Sequence, residues 1–247
     1  MRGSYLGINY TQDNIEKSLD NIGGLFRTEK NCDAYIEEIS DALVKGLAVG
    51  WFQGGMEFGP RALGGRSIIA SPLEKDMQKK LNLKVKYRES FRPFAPAILA
   101  EDVSEWFEYE DDSPYMLMVA NLKDEHQIKM SESEQKLFGI DKLNIPRSKV
   151  PAITHVDYSA RLQTVDGEYN EIFYKLLKSF KIKTGCPILV NTSFNVRGEP
   201  IVCTPEQAFN CFMGTELDVL AIGQSILYKD EQDPKLKKSY KDEFALD

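Results

Sequence analysis

Asn170-Glu-Ile-Phe-Tyr-Lys-Leu-Leu-Lys-Ser-Phe-Lys-Ile-Lys-Thr-Gly-Cys-Pro-Ile-Leu-Val-Asn-Thr-Ser-Phe-Asn195 is the stretch whose reading decides the fold class. Ile172, Phe173, Leu176, Leu177 and Phe180 recur on one helical face, and Gly185 supplies a stop, which predicts an amphipathic helix over 170–184. Ile188, Leu189 and Val190 form a short apolar run that reads as a buried strand leading into a polar turn. Helix into buried strand is the α/β alternation, and it repeats outward in both directions. Thr204-Pro-Glu-Gln207 is a capping box with proline at the first helical position, predicting a helix over 205–213. Residues 219–222 and 226–228 read as closing strands. Towards the amino terminus, Thr11 caps a short helix carrying Ile15, Leu19 and Ile22. A second helix starts near Asn31 or Asp33, places Tyr35, Ile36, Ile39, Ala42 and Leu43 on one face and ends at Gly46. Between them lie a buried strand at 47–52, a helical turn at 77–83, an alternating strand at 84–91, a short strand at 95–99, a helical piece at 101–107 and a strand at 115–120. Residues 121–150 are polar with weak periodicity and read as an insertion, partly helical or mobile. The tail 229–247 is charged and reads as solvated. Without an internal repeat or a proline-rich linker, residues 1–247 form one α/β domain, an open twisted mixed sheet flanked by helices.

The 247 residues are 42% hydrophobic and 28% charged, which excludes disordered, collagen-like and membrane-embedded classes. No run approaches the ~18–20 apolar residues of a membrane helix, and no early stretch reads as a signal peptide, so the expected compartment is the cytoplasm. Four cysteines form no CxxC pair, and His126 and His155 lack HxxxH or HExxH spacing. No metal site built from His or Cys is therefore expected. The net charge of −7 argues against polyanionic partners only as an average. Residues 54–100 hold nine Lys/Arg against four Asp/Glu, whereas 101–150 hold six against twelve. A basic block inside an acidic chain points to an anionic ligand.

Within that block, Lys84, Lys86, Arg88 and Arg92 occupy even positions, one face of an extended strand, with same-face neighbours roughly 6.6–7 Å apart. Such a face suits several phosphates, or else a solvated edge strand guarded by charge. The segment Gly54-Gly-Met-Glu-Phe-Gly-Pro-Arg-Ala-Leu-Gly-Gly-Arg66 adds close backbone approach and two planar donors, Arg61 and Arg66. It is neither a Walker A loop nor a dinucleotide GxGxxG, and alone it is as readily a glycine-rich hairpin. Asn191, Thr192, Ser193, Asn195 and Arg197 cluster after a buried strand, where loops of open α/β sheets bind ligands, although such residues also build self-satisfied turns. Arg161, Gln163 and Val165 share one face of a strand. His155 neighbours Asp157 in sequence without a serine esterase motif, and a structural or secondary role suits it.

Four segments together closely resemble the carboxyl-terminal part of the NodU/CmcH family of O-carbamoyltransferases: Met56-Glu-Phe-Gly-Pro-Arg-Ala-Leu-Gly64, Lys84-Val-Lys-Tyr-Arg-Glu-Ser-Phe-Arg-Pro-Phe-Ala-Pro96, Thr154-His-Val-Asp157 with Ala160-Arg-Leu-Gln-Thr164, and Asn191-Thr-Ser-Phe-Asn-Val-Arg-Gly-Glu-Pro200. The resemblance covers about 5–228. It implies a YrdC-like domain, in which Thr192-Ser-Phe-Asn195 with Gly198 is similar to the Thr-Ser-Ala-Asn turn of YrdC-type adenylate-forming proteins. The implied reaction takes carbamoyl phosphate and ATP, with Mg2+, to carbamoyl adenylate and pyrophosphate. An amino-terminal Kae1-like domain, in cis or trans, would then pass the carbamoyl group to a hydroxyl acceptor; neither that domain nor its metal-binding histidines are in this sequence.

Both steps move negative charge onto phosphate oxygens and call for fixed cations. The expected catalytic set is Lys86, Arg88, Arg61 and Ser193. The expected binding set is Arg66, Lys84, Arg92, Arg161, Gln163, Asn191, Asn195 and Arg197. Lys84, Lys86, Arg88 and Arg92 would hold ATP phosphates, Arg61 and Arg66 carbamoyl phosphate or leaving phosphate, and Arg161, Asn191, Ser193 and Asn195 the adenylate end. Two alternatives are a threonylcarbamoyl-adenylate synthase acting in tRNA modification and a non-catalytic nucleotide- or RNA-binding module. The overall acidity disfavours nucleic acid as a partner.

Overall fold

The structure, a computed structural model, describes residues 3–139, 142 and 145–237. The ends of the expected tail (238–247) and part of the expected insertion (140, 141, 143 and 144) lie outside the described residues. Seven helices are described: α1 Gln12–Asn21, α2 Cys32–Val44, α3 Met77–Lys84, the single turns α4 Val103–Trp106 and α5 Glu132–Gln135, α6 Glu171–Thr184 and α7 Pro205–Gly214. The strands are β1 Arg27–Thr28, β2 Val49–Phe52, β3 Arg66–Ala70, β4 Ala95–Leu99, β5 Met118–Asn121, β6 Ser159–Val165, β7 Ile188–Ser193, β8 Val219–Ile222 and β9 Ser225–Tyr228. They form one open sheet in the order β1-β9-β8-β2-β3-β7-β4-β6-β5. β2 with β8 and β4 with β6 are parallel, and the other pairs are antiparallel, so the sheet is mixed as expected.

The caps explain why the helices start where they do. The side chains of Thr11, Asn31, Asn170 and Thr204 each accept from a first-turn backbone N–H, satisfying donors that the helix cannot use itself. Gly185 ends α6 at φ 75°, a left-handed conformation that glycine adopts without penalty. Helix α2 packs against α6 and α1 against α7. Trp51, Phe52, Phe173, Phe180, Phe194 and Phe212 are fully buried, a core of large side chains that fixes β2, β3 and β7 relative to one another. Strand β7 lies between β3 and β4, antiparallel to both.

Four sequence readings change. The segment 84–91 is not a strand: α3 continues through Lys84 and closes in a turn, with Val85 N–H and Lys86 N–H both donating to the Leu81 carbonyl. Met77, Leu81 and Val85 are all buried, so helical spacing of the apolar residues outweighs the short alternation that follows. Asn82 then holds the turn, donating through Nδ2 to the carbonyls of Ser90 (3.1 Å) and Arg92 (2.8 Å). Secondly, Asn191, Thr192 and Ser193 belong to β7 and not to a loop, because they pair with Ile69, Ile68 and Ser67 of β3, a strand over residues to which the sequence reading assigned no element. Thirdly, the tail is not all solvated: Gln232 is buried, and Lys229 donates to the carbonyls of Phe212 and Thr215 at the end of α7. Fourthly, the expected 115–120 strand begins later, at Met118.

Candidate functional site

The glycine-rich segment is built around an anion and a cation that are both buried. The Glu57 carboxylate accepts from the backbone N–H groups of Leu63 (2.7 Å), Gly65 (2.7 Å) and Arg66 (3.1 and 3.2 Å). Arg66 is fully buried and donates to the carbonyls of Gln53, Gly54, Gly65 and Ile8 at 3.0–3.1 Å, with its guanidinium 3.5 Å from the centre of the Phe52 ring. Burial pulls its pKa down to about 10, although the nearby Glu57 charge opposes this. Arg66 therefore ties the loop to the chain before α1 through its two terminal nitrogens, while its Nε is buried without a hydrogen-bond partner among the described residues and it is not among the residues lining the pocket described below. Gly64, at φ +104°, lets the loop pass against Phe173, where a Cβ would meet the ring at 2.4 Å. Its carbonyl accepts from Trp51 Nε1 at 2.9 Å.

A second buried cation builds the facing turn. Lys86 Nζ lies within hydrogen-bond distance of four oxygens: the carbonyl (2.5 Å) and Oγ (3.1 Å) of Ser193, and the carbonyl (3.0 Å) and Oδ1 (2.7 Å) of Asn195. The Ser193 hydroxyl also donates to Asn195 Oδ1 at 2.6 Å, and Asn195 Nδ2 donates to the Glu199 carbonyl at 2.6 Å. Burial, reinforced by the like charge of Arg88, pushes the Lys86 ammonium down to about 7.

Between these two frameworks lies a pocket of about 180 Å³, lined by Pro60, Arg61, Ala62, Arg88, Pro93, Phe94, Ala95, Met116, Arg161, Asn191, Thr192 and Ser193. Three guanidiniums converge there, and no carboxylate is among the described residues lining it. Each arginine is set by its own support. Arg88 Nε donates to Asn82 Oδ1 at 2.7 Å, and its guanidinium sits 4.9 Å from the Phe94 ring centre. Arg161 projects from β6 next to β4, and its Nε is buried with no hydrogen-bond partner. Arg61 comes from the loop that Glu57 and Arg66 hold. Desolvation, and then the charge of Arg92, lowers Arg88 to about 10, while desolvation and Arg61 lower Arg161. Clustered cations that depress one another favour an anion among them, and planar arginine forks suit phosphate.

Of the twelve expected site residues, Arg61, Arg88, Arg161, Asn191 and Ser193 line this pocket, and Lys86 and Asn195 stand directly behind Ser193. Gln163 supports Asn191. Lys84, expected on the same face as Lys86, points away and pairs at 2.7 Å with Glu216, because the helix turns it to the opposite side. Arg92 pairs with Glu89 at 3.1 Å and lines a different and larger cavity of about 480 Å³, with Lys75, Lys79, Arg147, His155 and Asp76. Arg197 reaches Glu89 at 3.7 Å. His155 Nδ1 does meet Asp157 Oδ1, at 3.0 Å. Glu57, Asn82 and Phe94 were not expected as site supports. Glu57 had a signal, a lone acid among glycines and arginines, whereas nothing local marked Asn82. No group of three or more His, Cys, Asp and Glu side chains that could hold a metal occurs among the described residues. The described cysteines are unbridged, and no described helix is long and apolar enough to cross a membrane.

The family model for the carbamoyltransferase C-terminus matches residues 40–229, which include every pocket-lining residue. The chain belongs to this family. Among relatives of this carbamoyltransferase C-terminal chain, an uncharacterized protein of Synechocystis sp. is 52% identical over 253 residues, covering 100% of the chain and 40% of that protein. Nodulation protein NolO of Bradyrhizobium diazoefficiens is 40% identical over 80% of the chain and 33% of its own length. A 3'-hydroxymethylcephem-O-carbamoyltransferase of Amycolatopsis lactamdurans is 36% identical over 67% of the chain and 28% of its own length. The carbamoyltransferase C-terminal chain thus spans two fifths or less of each of these relatives.

Proposed function

We propose that this chain activates carbamoyl phosphate with ATP, forming carbamoyl adenylate that a Kae1-like domain, in cis or trans, passes to a hydroxyl acceptor. Water splits carbamoyl phosphate to carbamate and inorganic phosphate; carbamate oxygen then attacks the α-phosphorus of ATP, and pyrophosphate leaves. The observation that carries this reading is the pocket itself, with three guanidiniums and no lining carboxylate, in a chain of the carbamoyltransferase C-terminal family. Arg61, Arg88 and Arg161 would bind and neutralise phosphate oxygens as charge moves onto them. Lys86 would fix Ser193 and Asn195 at the pocket wall and add to the positive field from behind. Mg2+ would arrive on the ATP phosphates, since the pocket lining offers it no carboxylate. A site walled by Pro93, Phe94 and Met116 would limit the water that reaches carbamate and the adenylate. The cytoplasm, where ATP is available, suits this reaction.

The test is pyrophosphate release from ATP on adding carbamoyl phosphate. Arg61→Ala and Arg161→Ala should each lower the rate about 100-fold, as the loss of one fixed donor at a developing charge does. Unchanged rates in both variants would overturn the assignment. Release with threonine and bicarbonate in place of carbamoyl phosphate would favour the threonylcarbamoyl-adenylate reaction. Salt-sensitive RNA binding without turnover would favour a binding module.

A further inference from the structure

The pocket contains a hydrogen-bonding mismatch that the arginines do not explain. Gln163 Nε2 donates to the Leu63 carbonyl at 2.7 Å, so Gln163 Oε1 must be an acceptor. Asn191 Nδ2 donates to that Oε1 at 2.6 Å and to the Ala62 carbonyl at 3.1 Å, which uses both of its hydrogens. This chain of amides fixes which way Asn191 faces, because turning it over would set oxygen against oxygen at both contacts. Asn191 Oδ1 is left buried, with no donor among the described residues, in a side chain only 1% exposed. Buried carbonyl oxygens are rarely left this way, and one without a donor at a pocket wall calls for a ligand that brings one.

The same pocket holds the complementary orphan. Arg161 Nε is a buried donor with no acceptor. A dianionic phosphoryl group alone, which carries no hydrogen, would answer Arg161 and leave Asn191 unsatisfied. A molecule carrying an anion at one end and an N–H donor at the other answers both. The cavity, about 180 Å³, has room for a small acyl phosphate. The Ser193 hydroxyl already donates to Asn195 Oδ1 and accepts from the Lys86 ammonium, which leaves it a single lone pair, whereas Asn191 Oδ1 has both.

We infer that Asn191 is a specificity-determining residue whose Oδ1 accepts an N–H of the carbamoyl amino group while the arginines hold the phosphate, so that the pocket selects carbamoyl over acetyl phosphate. This rests on the carbamoyl phosphate reading above and adds to it the means of telling an amino group from a methyl group of nearly the same size. A methyl group cannot donate, so acetyl phosphate leaves Oδ1 unpaired in the bound state.

The experiment measures binding of carbamoyl phosphate, acetyl phosphate and inorganic phosphate to the 247-residue chain by calorimetry at low temperature. The wild type should bind carbamoyl phosphate about 10-fold or more tightly than acetyl phosphate. Asn191→Leu, of similar size, should bring that ratio to within about threefold. Equal affinities for the two acyl phosphates in the wild type would overturn the assignment of Asn191 and leave the phosphate pocket standing, and that comparison needs no variant to fold. A ratio that survives Asn191→Leu would also overturn it. Failure of all three compounds to bind would overturn both this inference and the reading on which it rests.

Discussion

Gly64→Ala is the perturbation that most directly tests how the loop carrying Arg61 is held. Gly64 has φ +104°, and an added Cβ would lie 2.4 Å from Phe173 Cδ1 and 2.9 Å from Cε1 and Cγ. Phe173 is fully buried and packs on Trp51 with ring centres 6.2 Å apart, so the ring has little room to retreat. Two costs add. The backbone conformation costs an L-residue about 1–3 kcal/mol, and forcing an extra carbon into a packed core costs about 1–3 kcal/mol more, giving about 2–6 kcal/mol in all. Gly54→Ala separates the two, because Gly54 also has positive φ (+56°) but meets nothing within 4 Å. It should cost only about 1–2 kcal/mol, the left-handed backbone penalty. Urea midpoints at constant m-value give both differences. If the clash is the cause, Phe173→Leu in the Gly64→Ala background should recover about 1–3 kcal/mol relative to additivity. Gly64→Ala costing no more than Gly54→Ala, or a double mutant that is strictly additive, would refute the reasoning.

Lys84→Met should change stability by less than about 1 kcal/mol, as exposed pairs usually do, and leave phosphate affinity unchanged, measured by urea denaturation and calorimetry; a large loss of affinity would restore Lys84 to the site. Lys86 has a folded pKa below its unfolded value, so the unfolded chain binds the extra proton between about pH 7 and about pH 10. Its contribution to stability therefore rises with pH across that window, and Lys86→Met should remove the part of the slope that begins near pH 7, read from denaturation curves at stepped pH. Glu57→Gln, which presents an NH2 or a weaker acceptor to three backbone donors, should cost about 2–4 kcal/mol and weaken phosphate binding through Arg61, checked by thermal unfolding and calorimetry.

The parts of the fold that could be read from the chain are those whose causes are local. Thr11, Asn31, Asn170 and Thr204 cap helices through contacts within three residues, and the apolar faces of α1, α2 and α6 repeat within one turn. The failures have remote causes. The alternation after Lys84 looks like a strand, but its hydrogen bonds are taken by the Asn82 side chain and the end of α3. Strand β3 starts at a buried arginine, a residue type that rarely marks a strand buried throughout. Site membership divides in the same way. Arg61, Arg88, Arg161, Asn191 and Ser193 could be picked out as donors in suggestive segments, and the sheet does bring them together. Whether a given cation faces a ligand or the protein's own carbonyls depends on tertiary packing, and this is why Arg66 and Lys86 were grouped with Arg61 and Arg88.

That division changes what the basic block means. Arg66 and Lys86 spend their donors on backbone and side-chain oxygens and thereby shape the two walls, while Arg61, Arg88 and Arg161 remain at the pocket surface. The oxygens that hold Lys86 directly are neutral, so when protonated it adds to the potential felt inside, offset in part by the Glu199 charge. Arg88 and Arg161 are already depressed by desolvation and by their like-charged neighbours. An anion entering the pocket relieves that repulsion and satisfies Arg161 Nε. Binding and folding are thus linked: a ligand that binds only the folded chain stabilises it by about 2.7 kcal/mol at one hundred times its dissociation constant. Removing Arg161 should weaken that stabilisation and, in the absence of ligand, make the folded chain no less stable, because a repelling charge and an unpaired buried donor go with it. A site built to hold an anion and a residue retained for folding differ in the sign of that second effect.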